Sequence, residues 1–163
     1  MSDALELFHF ADIENTESIL KNGLKAASSY EVFTPIRENA VFCWLRKEDN
    51  KILSDNQVCF RINVDAGRCL IADMDYVSMA MMYKYNPKGE GIAKKPVNPE
   101  AEKLFVQLYE ATAVKPCDYY DGMHFSPEVL VKGDIQASDI ELCPCAEKKQ
   151  RTFSQKRRNR RQL

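Results

Sequence analysis

One acidic side chain in this sequence stands out because of its neighbours. Glu128 opens the segment Glu128–Val131, and the three residues after it are Val, Leu and Val. Partial burial at the start of an apolar strand adjusts the pKa of a carboxyl group toward the range that suits a general base. The same carboxylate could stabilise positive charge that develops in a transition state. The alternative is an ordinary, solvated Glu at a strand edge.

His9 is the second residue whose position favours chemistry. It lies between Phe8 and Phe10, so in an extended strand its ring points away from the face that carries both phenyl rings. A histidine there either hydrogen-bonds a ligand or is a core residue that the protein itself satisfies. The other histidine, His124, precedes Glu128 by four residues in a predicted turn, where it either contacts a substrate or is exposed.

Several common sites have no counterpart in the sequence. It contains no P-loop, no glycine fingerprint for a dinucleotide and no Cys/His spacing of a zinc site, so we expect no metal. The six cysteines are scattered, mostly in apolar segments, which favours free buried thiols over disulfides. The presence of both Cys and His leaves a thiol nucleophile open, although no local signature supports one.

Hydrophobic patterning predicts short strands that would position these residues. The predicted strands are Glu6–Phe10, Ala40–Leu45, Val58–Asn63, Cys69–Ala72, Tyr119–Met123, Glu128–Val131 and Ile140–Leu142. Segments 26–39 and 86–96 are polar or rich in Pro and Gly, which predicts loops.

Three helices are predicted from their ends and their periodicity. The first is capped by Asp12 and stopped by Gly23, the second is Met74–Tyr85, and the third begins after Asn98 with Pro99 in the first turn. The predicted core-facing residues are Ile13, Thr16, Leu20 and Leu24 in the first helix and Ala101, Leu104, Phe105 and Leu108 in the third. Strands and helices do not alternate regularly, so the predicted class is α+β.

The charge divides the chain into two parts. Of the 23 lysines and arginines, eight lie in residues 148–163, which contain no acid. The first 147 residues therefore carry 15 basic and 24 acidic side chains, a net charge of −9. We predict one folded domain over residues 1–147 and a basic tail over residues 148–163 that is disordered on its own.

The basic tail favours a polyanionic partner. Its densest part contains Lys156, Arg157, Arg158, Arg160 and Arg161. Such charge gives strong, salt-dependent affinity for phosphate backbones, which predicts a nucleic acid or a ribonucleoprotein as the partner. Phe153 is the only aromatic residue of the tail, so reading of individual bases is not expected. The alternatives are a solubilising end and a docking segment for an antitoxin or a host protein.

The apolar runs are too short for a membrane span. The longest uncharged examples resemble Ala40–Leu45, and Asp3 and Glu6 precede the first apolar stretch, contrary to the pattern of a secretory signal. We therefore expect a cytoplasmic protein that does not contact membranes.

Two segments resemble the opening and closing elements of ADP-ribosyltransferase domains. They are LFHFADIENTESILKNGL at residues 7–24 and SPEVLVKGDIQASDI at residues 126–140. DarT-like toxins, which ADP-ribosylate DNA, similarly begin with an aromatic-His strand that runs into I-D/E-N-x-x-S-I-L-x-x-G-L. They close with an Ala-Glu-apolar-Leu-Val strand followed by I-P-x-x-I. The resemblance covers roughly residues 5–142, and only the two end segments are specific.

The resemblance implies a fold and a set of site residues. The implied fold is a split β-sandwich of two apposed, mainly antiparallel sheets with flanking helices and a cleft for NAD between them. Glu128 would be the catalytic carboxylate. Arg37 would serve NAD binding or leaving-group chemistry, with Arg46 as its substitute, or would be an ordinary surface arginine. His9 would hydrogen-bond a ribose hydroxyl of NAD. The other residues implied in the NAD pocket are Phe10, Asn15, Phe42 and Trp44. Phe42 and Trp44 would form a stacking wall for nicotinamide or be core residues, and Asn15 would support the pocket or the strand–helix corner.

The expected activity is NAD-dependent transfer of ADP-ribose to a macromolecular acceptor, either nucleic acid or a nucleic-acid-associated protein. NAD is then a substrate. Two alternatives belong to other classes. One is a catalytically inactive relative that acts as a binding or inhibitor protein through its basic tail. The other is an NAD-dependent RNA 2′-phosphotransferase, although the sequence lacks a clustered Arg/His set for gripping a phosphate.

Overall fold

Six strands run through the computed structural model, which describes residues 3–28, 34–50, 54–84 and 97–144. They are β1 (Ala4–Asp12), β2 (Ala40–Trp44), β3 (Gln57–Asp65), β4 (Cys69–Asp73), β5 (Pro127–Lys132) and β6 (Ile140–Leu142). All neighbours pair antiparallel in the order β4-β5-β2-β1-β3-β6. With the helices below, the predicted α+β class is confirmed.

The described strands form one sheet, so the expectation of two apposed sheets is wrong. The sheet nevertheless has a weak seam in its middle. Between β1 and β2 only Phe8 and Trp44 are paired, whereas β1 pairs with β3 along its whole length from Ala4 to Asp12. The seam therefore divides the sheet into a half made of β4, β5 and β2 and a half made of β1, β3 and β6.

Three helices accompany the sheet: α1 (Thr16–Asn22), α2 (Met74–Lys84) and α3 (Pro99–Thr112). The Asn98 side chain accepts hydrogen bonds from the Glu100 and Ala101 amides, which confirms the predicted start of α3. Gly23 ends α1 at a φ of 78°, where a Cβ would lie 2.2 Å from the Ile135 carbonyl oxygen. Asp12 is at the N-cap of the 3₁₀ turn Ile13–Asn15 that leads into α1, as predicted, although its side chain accepts no capping hydrogen bond.

Two predicted helix faces are right only in part, and one predicted strand is wrong. In α3 the predicted Phe105 packs against the core with Val106 and Tyr109, whereas Leu104 is 53% exposed. In α1 the buried residue is Ile19, whereas Leu20 is 40% exposed. Residues 119–123 form a turn, since Gly122 has a φ of 88° and the Met123 amide donates to the Tyr120 carbonyl.

The two faces of the sheet have separate cores. One face carries the larger apolar cluster, in which Leu7, Phe60, Ile62 and Val129 are fully buried. The opposite face is covered by α2 and α3, whose Val77, Ala80 and Tyr109 pack with Leu130 and its neighbours. Side chains alternate between faces along a strand, so Glu128 shares the helix-covered face with Leu130. Among the residues that the structure describes, no helix has the length and apolar character to cross a bilayer.

Candidate functional site

Glu128 lies on β5, in the interior of its half of the sheet. It is paired with Trp44 on β2 and with Ala72 on β4, and only 3% of its surface is exposed. The alternative of a solvated Glu at a strand edge is therefore wrong. A carboxyl group this deeply buried requires partners, because an unpaired charge in a protein interior is costly.

Arg37 is the charged partner of Glu128. It lies in a short 3₁₀ turn (Pro35–Arg37), is 9% exposed and donates from Nη1 to Glu128 Oε1. Its Cζ lies 4.3 Å from the ring centroid of Phe42 and 5.5 Å from that of Tyr109. Arg46, the substitute, is instead exposed and pairs with Asp49 and Asp121. Of the two arginines, the structure places Arg37 at the carboxylate.

Hydrogen bonds to two neighbouring elements hold the turn that carries Arg37. Lys132, at the end of β5, donates from Nζ to the carbonyl oxygens of Ile36 and Glu38. On the other side the hydroxyl of Thr34 donates to Glu110 Oε1 of α3 at 2.6 Å. The turn that carries the guanidinium is thus held by β5, which also carries Glu128, and by α3.

Tyr109 is a site residue that the sequence reasoning missed. Its side chain is fully buried, its hydroxyl oxygen accepts from Arg37 Nη1 at 3.0 Å, and it lies 2.5 Å from Glu128 Oε1, to which it donates. Burial is the main reason why the pKa of Tyr109 is raised, with the Glu128 charge as a further cause. The signal that could have found it is its spacing of four residues from Phe105 on the buried face of α3.

Two opposing effects set the pKa of the Glu128 carboxyl group: its burial and the groups that donate hydrogen bonds to it. Burial raises its pKa above 4.5, and Asp73 at the end of β4 adds to that rise. The charge of Arg37 and the hydrogen bonds from Tyr109 and Arg37 oppose it. Both donors reach the same oxygen, Oε1. Within the described part of the chain no group donates to Oε2, so this oxygen is the one left for a ligand.

Asp73 also orders the turn that leads into β5. Its carboxylate accepts from the backbone amides of Phe125 at 3.0 Å and Ser126 at 3.2 Å, and from that of Asp75 at 3.1 Å. His124, just before these residues, is 8% exposed and its ring lies 5.5 Å from that of Tyr119. His124 is therefore buried in the turn, and its Nε2 has no partner among the described residues.

His9 occupies the seam between the two halves of the sheet. Its Nδ1 lies 2.9 Å from the carbonyl oxygen of Phe42. A carbonyl oxygen only accepts, so Nδ1 carries the proton. Burial lowers the pKa of His9 below 6.5. The ring is therefore neutral near pH 7, and its Nε2 is a hydrogen-bond acceptor.

Phe42 and Trp44 connect His9 with the Glu128 cluster. The Phe42 carbonyl binds His9, and the Phe42 ring packs on Arg37. Trp44 is paired with Phe8 on one side and Glu128 on the other, which places one row of residues across three strands. The β1 and β5 backbones are two strand spacings apart, or about 10 Å.

Two predicted pocket residues lie farther from this cluster. Phe10 is half-buried and opposite Cys59 of β3, and Asn15 is exposed at the start of α1, where its side chain caps no amide. No hydrogen bond or ring contact that the structure shows among its described residues links either one to Glu128.

The thiols are poor candidates for chemistry. Cys43, Cys69, Cys117 and Cys143 are free thiols, as predicted, and all of these but Cys117 are buried. Burial raises the pKa of Cys43 and raises that of Cys69 to about 11. A protonated thiol is a weak nucleophile, so Cys43 and Cys69 are unsuited to nucleophilic attack. Among the residues that the structure describes, no group of three His, Cys, Asp or Glu side chains could hold a metal ion.

The basic tail, including Lys156, Arg157, Arg158, Arg160 and Arg161, lies outside the described residues. The structure does show where the chain leads toward it. The Cys143 amide donates to the Cys59 carbonyl on β3, and Cys59 is opposite Phe10 on β1. The approach to the tail is therefore on the half of the sheet that carries His9.

Comparisons of the chain with protein-family models, with curated proteins and with solved structures find no match. The function must therefore be argued from the residues of this chain.

Proposed function

We propose that this protein transfers ADP-ribose from NAD to a macromolecular acceptor, either nucleic acid or a nucleic-acid-associated protein. The observation that carries the proposal is the meeting of Glu128 and Arg37. They are 91 residues apart in sequence, and they are hydrogen-bonded in the structure. The resemblance to ADP-ribosyltransferases, which rests on sequence alone, implies a catalytic role for both.

The proposed reaction needs a carboxylate beside the ribose of NAD. The bond between C1′ and the nicotinamide nitrogen breaks, and its electron pair leaves with nicotinamide, which becomes neutral. Positive charge then develops on the ribose, where an adjacent carboxylate stabilises it. An acceptor atom forms the new bond to C1′ and gives its proton to Glu128 acting as general base. Oε2 is the atom suited to both tasks, because Oε1 already accepts from Arg37 and Tyr109.

Three side chains suit the binding of NAD. The neutral His9 ring presents Nε2 as an acceptor, which matches the donor character of a ribose hydroxyl. Arg37 keeps a buried Nε without a partner in the described part of the chain, and a phosphate or ribose oxygen would satisfy this donor. Trp44, half-buried in the row with Glu128, offers an aromatic face for nicotinamide.

The acceptor is inferred from charge. A tail with eight basic side chains and no acid would hold a phosphate backbone, and the chain approaches this tail on the His9 half of the sheet. We therefore propose that the tail binds the nucleic acid, or a particle that contains it, while the folded domain modifies it.

Incubation with NAD labelled in its adenylate group tests both the reaction and the acceptor. Separate protease and nuclease digestion of a treated lysate shows whether the label is on protein, DNA or RNA. Glu128→Gln retains an oxygen for both donors but loses the charge, and we expect it to lower the transfer rate at least about a hundredfold. Glu141→Gln, on β6 and exposed, is the matched control and should leave the rate unchanged.

The opposite outcome is equally concrete. A folded wild-type protein that neither transfers label nor releases nicotinamide would contradict the proposal.

The second candidate is an inactive relative that binds a partner. It is favoured by the burial of the Arg37–Glu128 pair, because such pairs can also serve only the architecture of a protein. Thermal unfolding with and without NAD separates the cases. An NAD site raises the melting temperature through mass action, whereas a pure architectural pair leaves it unchanged.

A further inference from the structure

Helix α3 places the hydroxyl of Tyr109 directly on the Glu128 carboxylate, and the proposed reaction gives it no task. The direction of each hydrogen bond follows from chemistry. A guanidinium only donates, so the Tyr109 oxygen accepts from Arg37 Nη1, and its single proton is directed to Glu128 Oε1. The three groups thus form a closed triangle in which Oε1 receives two donors.

This triangle differs from a more common arrangement. An arginine and a carboxylate that face each other usually form two parallel bonds, one to each carboxylate oxygen. Here Nη1 is shared between Tyr109 and Oε1, and no bond from Arg37 to Oε2 exists among the described residues. We propose that Tyr109 is a positioning residue whose hydroxyl limits Arg37 to one oxygen of Glu128 and so keeps Oε2 open to the substrate.

The inference rests on the proposed function, because an open Oε2 matters only if Glu128 acts on a substrate. It also has a consequence for protonation. The charged and titratable groups that face Glu128 are Arg37 from the 3₁₀ turn, Tyr109 from α3 and Asp73 from β4. The hydroxyl of Tyr109 is one of the groups that favour the carboxylate form, so its removal should make Glu128 harder to ionise.

Tyr109→Phe tests the hydroxyl while the ring stays in the α3 core. We expect kcat to fall about tenfold to a hundredfold, in line with the loss of a hydrogen bond to a charged group. KM for NAD should change less than about twofold, and the acidic limb of the kcat profile should move to higher pH. Tyr76→Phe on α2 is the matched control, since Tyr76 shows a ring contact with Phe105, and it should change neither kcat nor the limb.

A second readout does not require activity. The Glu128 carboxyl carbon can be titrated by ¹³C NMR and assigned with Glu128→Gln, and Tyr109→Phe should move its midpoint to higher pH. Site-specific 3-fluorotyrosine at position 109 keeps the size of the side chain but has a more acidic hydroxyl, so it should move the midpoint to lower pH. This isosteric replacement also serves if Tyr109→Phe does not fold.

The outcomes separate the two proposals. An active wild type in which neither replacement moves the limb or the midpoint would overturn the role of Tyr109 and leave the proposed function intact. The second outcome combines opposite shifts of the midpoint in the two replacements with a wild type that neither transfers ADP-ribose nor hydrolyses NAD. It would support the control of the carboxylate by Tyr109 and overturn the proposed function.

Discussion

The two halves of the sheet contain the same kind of ion pair in two different environments. In the half made of β4, β5 and β2, Arg37 meets Glu128 with 11% and 4% of the side chains exposed. In the other half Arg61 of β3 meets Glu141 of β6 at 2.5 Å, with 41% and 58% exposed. Water screens the second pair, whereas the first is shielded from it and receives a further hydrogen bond from Tyr109.

The difference shows which half holds a constrained carboxylate that is shielded from water. A buried pair constrains charge and orientation at a substantial desolvation cost, and an exposed pair does neither. The half with the buried pair also carries Phe42 and Trp44 and faces His9 across the seam. The β1-β3-β6 half supplies fully buried apolar side chains such as Phe60 and Ile62, and the chain approaches the basic tail from its edge.

Breaking the buried pair should have the largest effect on stability. Arg37→Ala leaves Glu128 buried without its charged partner, and we expect a loss of about 3–5 kcal/mol in the free energy of unfolding. Urea unfolding followed by circular dichroism measures it. A loss below about 1 kcal/mol would show that the two pairs are energetically alike, contrary to their burial.

Removal of residues 148–163 should separate the binding role of the tail from the folded domain. Because each phosphate that a basic residue neutralises releases a counterion, the deletion should lower nucleic-acid affinity by about a hundredfold or more and flatten its dependence on salt. Fluorescence anisotropy over a salt series measures this. The melting temperature should stay nearly unchanged, since the tail contains little apolar surface, and a much earlier melting transition would contradict its independence.

The pH dependence of the reaction should report the buried carboxylate. The pKa of Glu128 is raised above 4.5, and the proposed reaction needs the ionised form. The rate should therefore rise with pH through an acidic limb above pH 4.5 and fall about tenfold per pH unit below that limb. The pKa of His9 is lowered below 6.5, so His9 should be neutral above pH 6.5 and should add no limb there. A kcat profile in a constant-ionic-strength buffer tests this, and a limb at or below pH 4.5 would contradict it.

Breaking the exposed pair should have the smallest effect. Arg61→Ala removes contacts with Glu141 and Glu6 at the surface, and we expect the free energy of unfolding to change little, because water screens an exposed pair. The change should shrink further in 1 M salt, where exposed charges are screened. A loss as large as that expected for Arg37→Ala, measured by the same urea unfolding, would remove the distinction between the halves.

Sequence patterns alone predicted most of the strands and the start of α3. Alternation, apolar runs and end signals are local, and each acts within one element. They also singled out Glu128 as the lone acid of an apolar strand and His9 between two phenylalanines. The charge division between residues 1–147 and 148–163 follows from composition and needs no fold.

The tertiary structure decided which partners Glu128 has. Arg37 is separated from Glu128 by 91 residues and from Tyr109 by 72, and no local pattern encodes contacts over such distances. The choice of Arg37 over Arg46 depends on how β5 and α3 hold the turn before β2. Tyr109 was missed because the buried face of α3 is set by its packing on the sheet, which favours the stripe through Phe105 and leaves Leu104 exposed. The single sheet with its seam likewise depends on pairing between strands, since the pattern within a strand does not specify its neighbours.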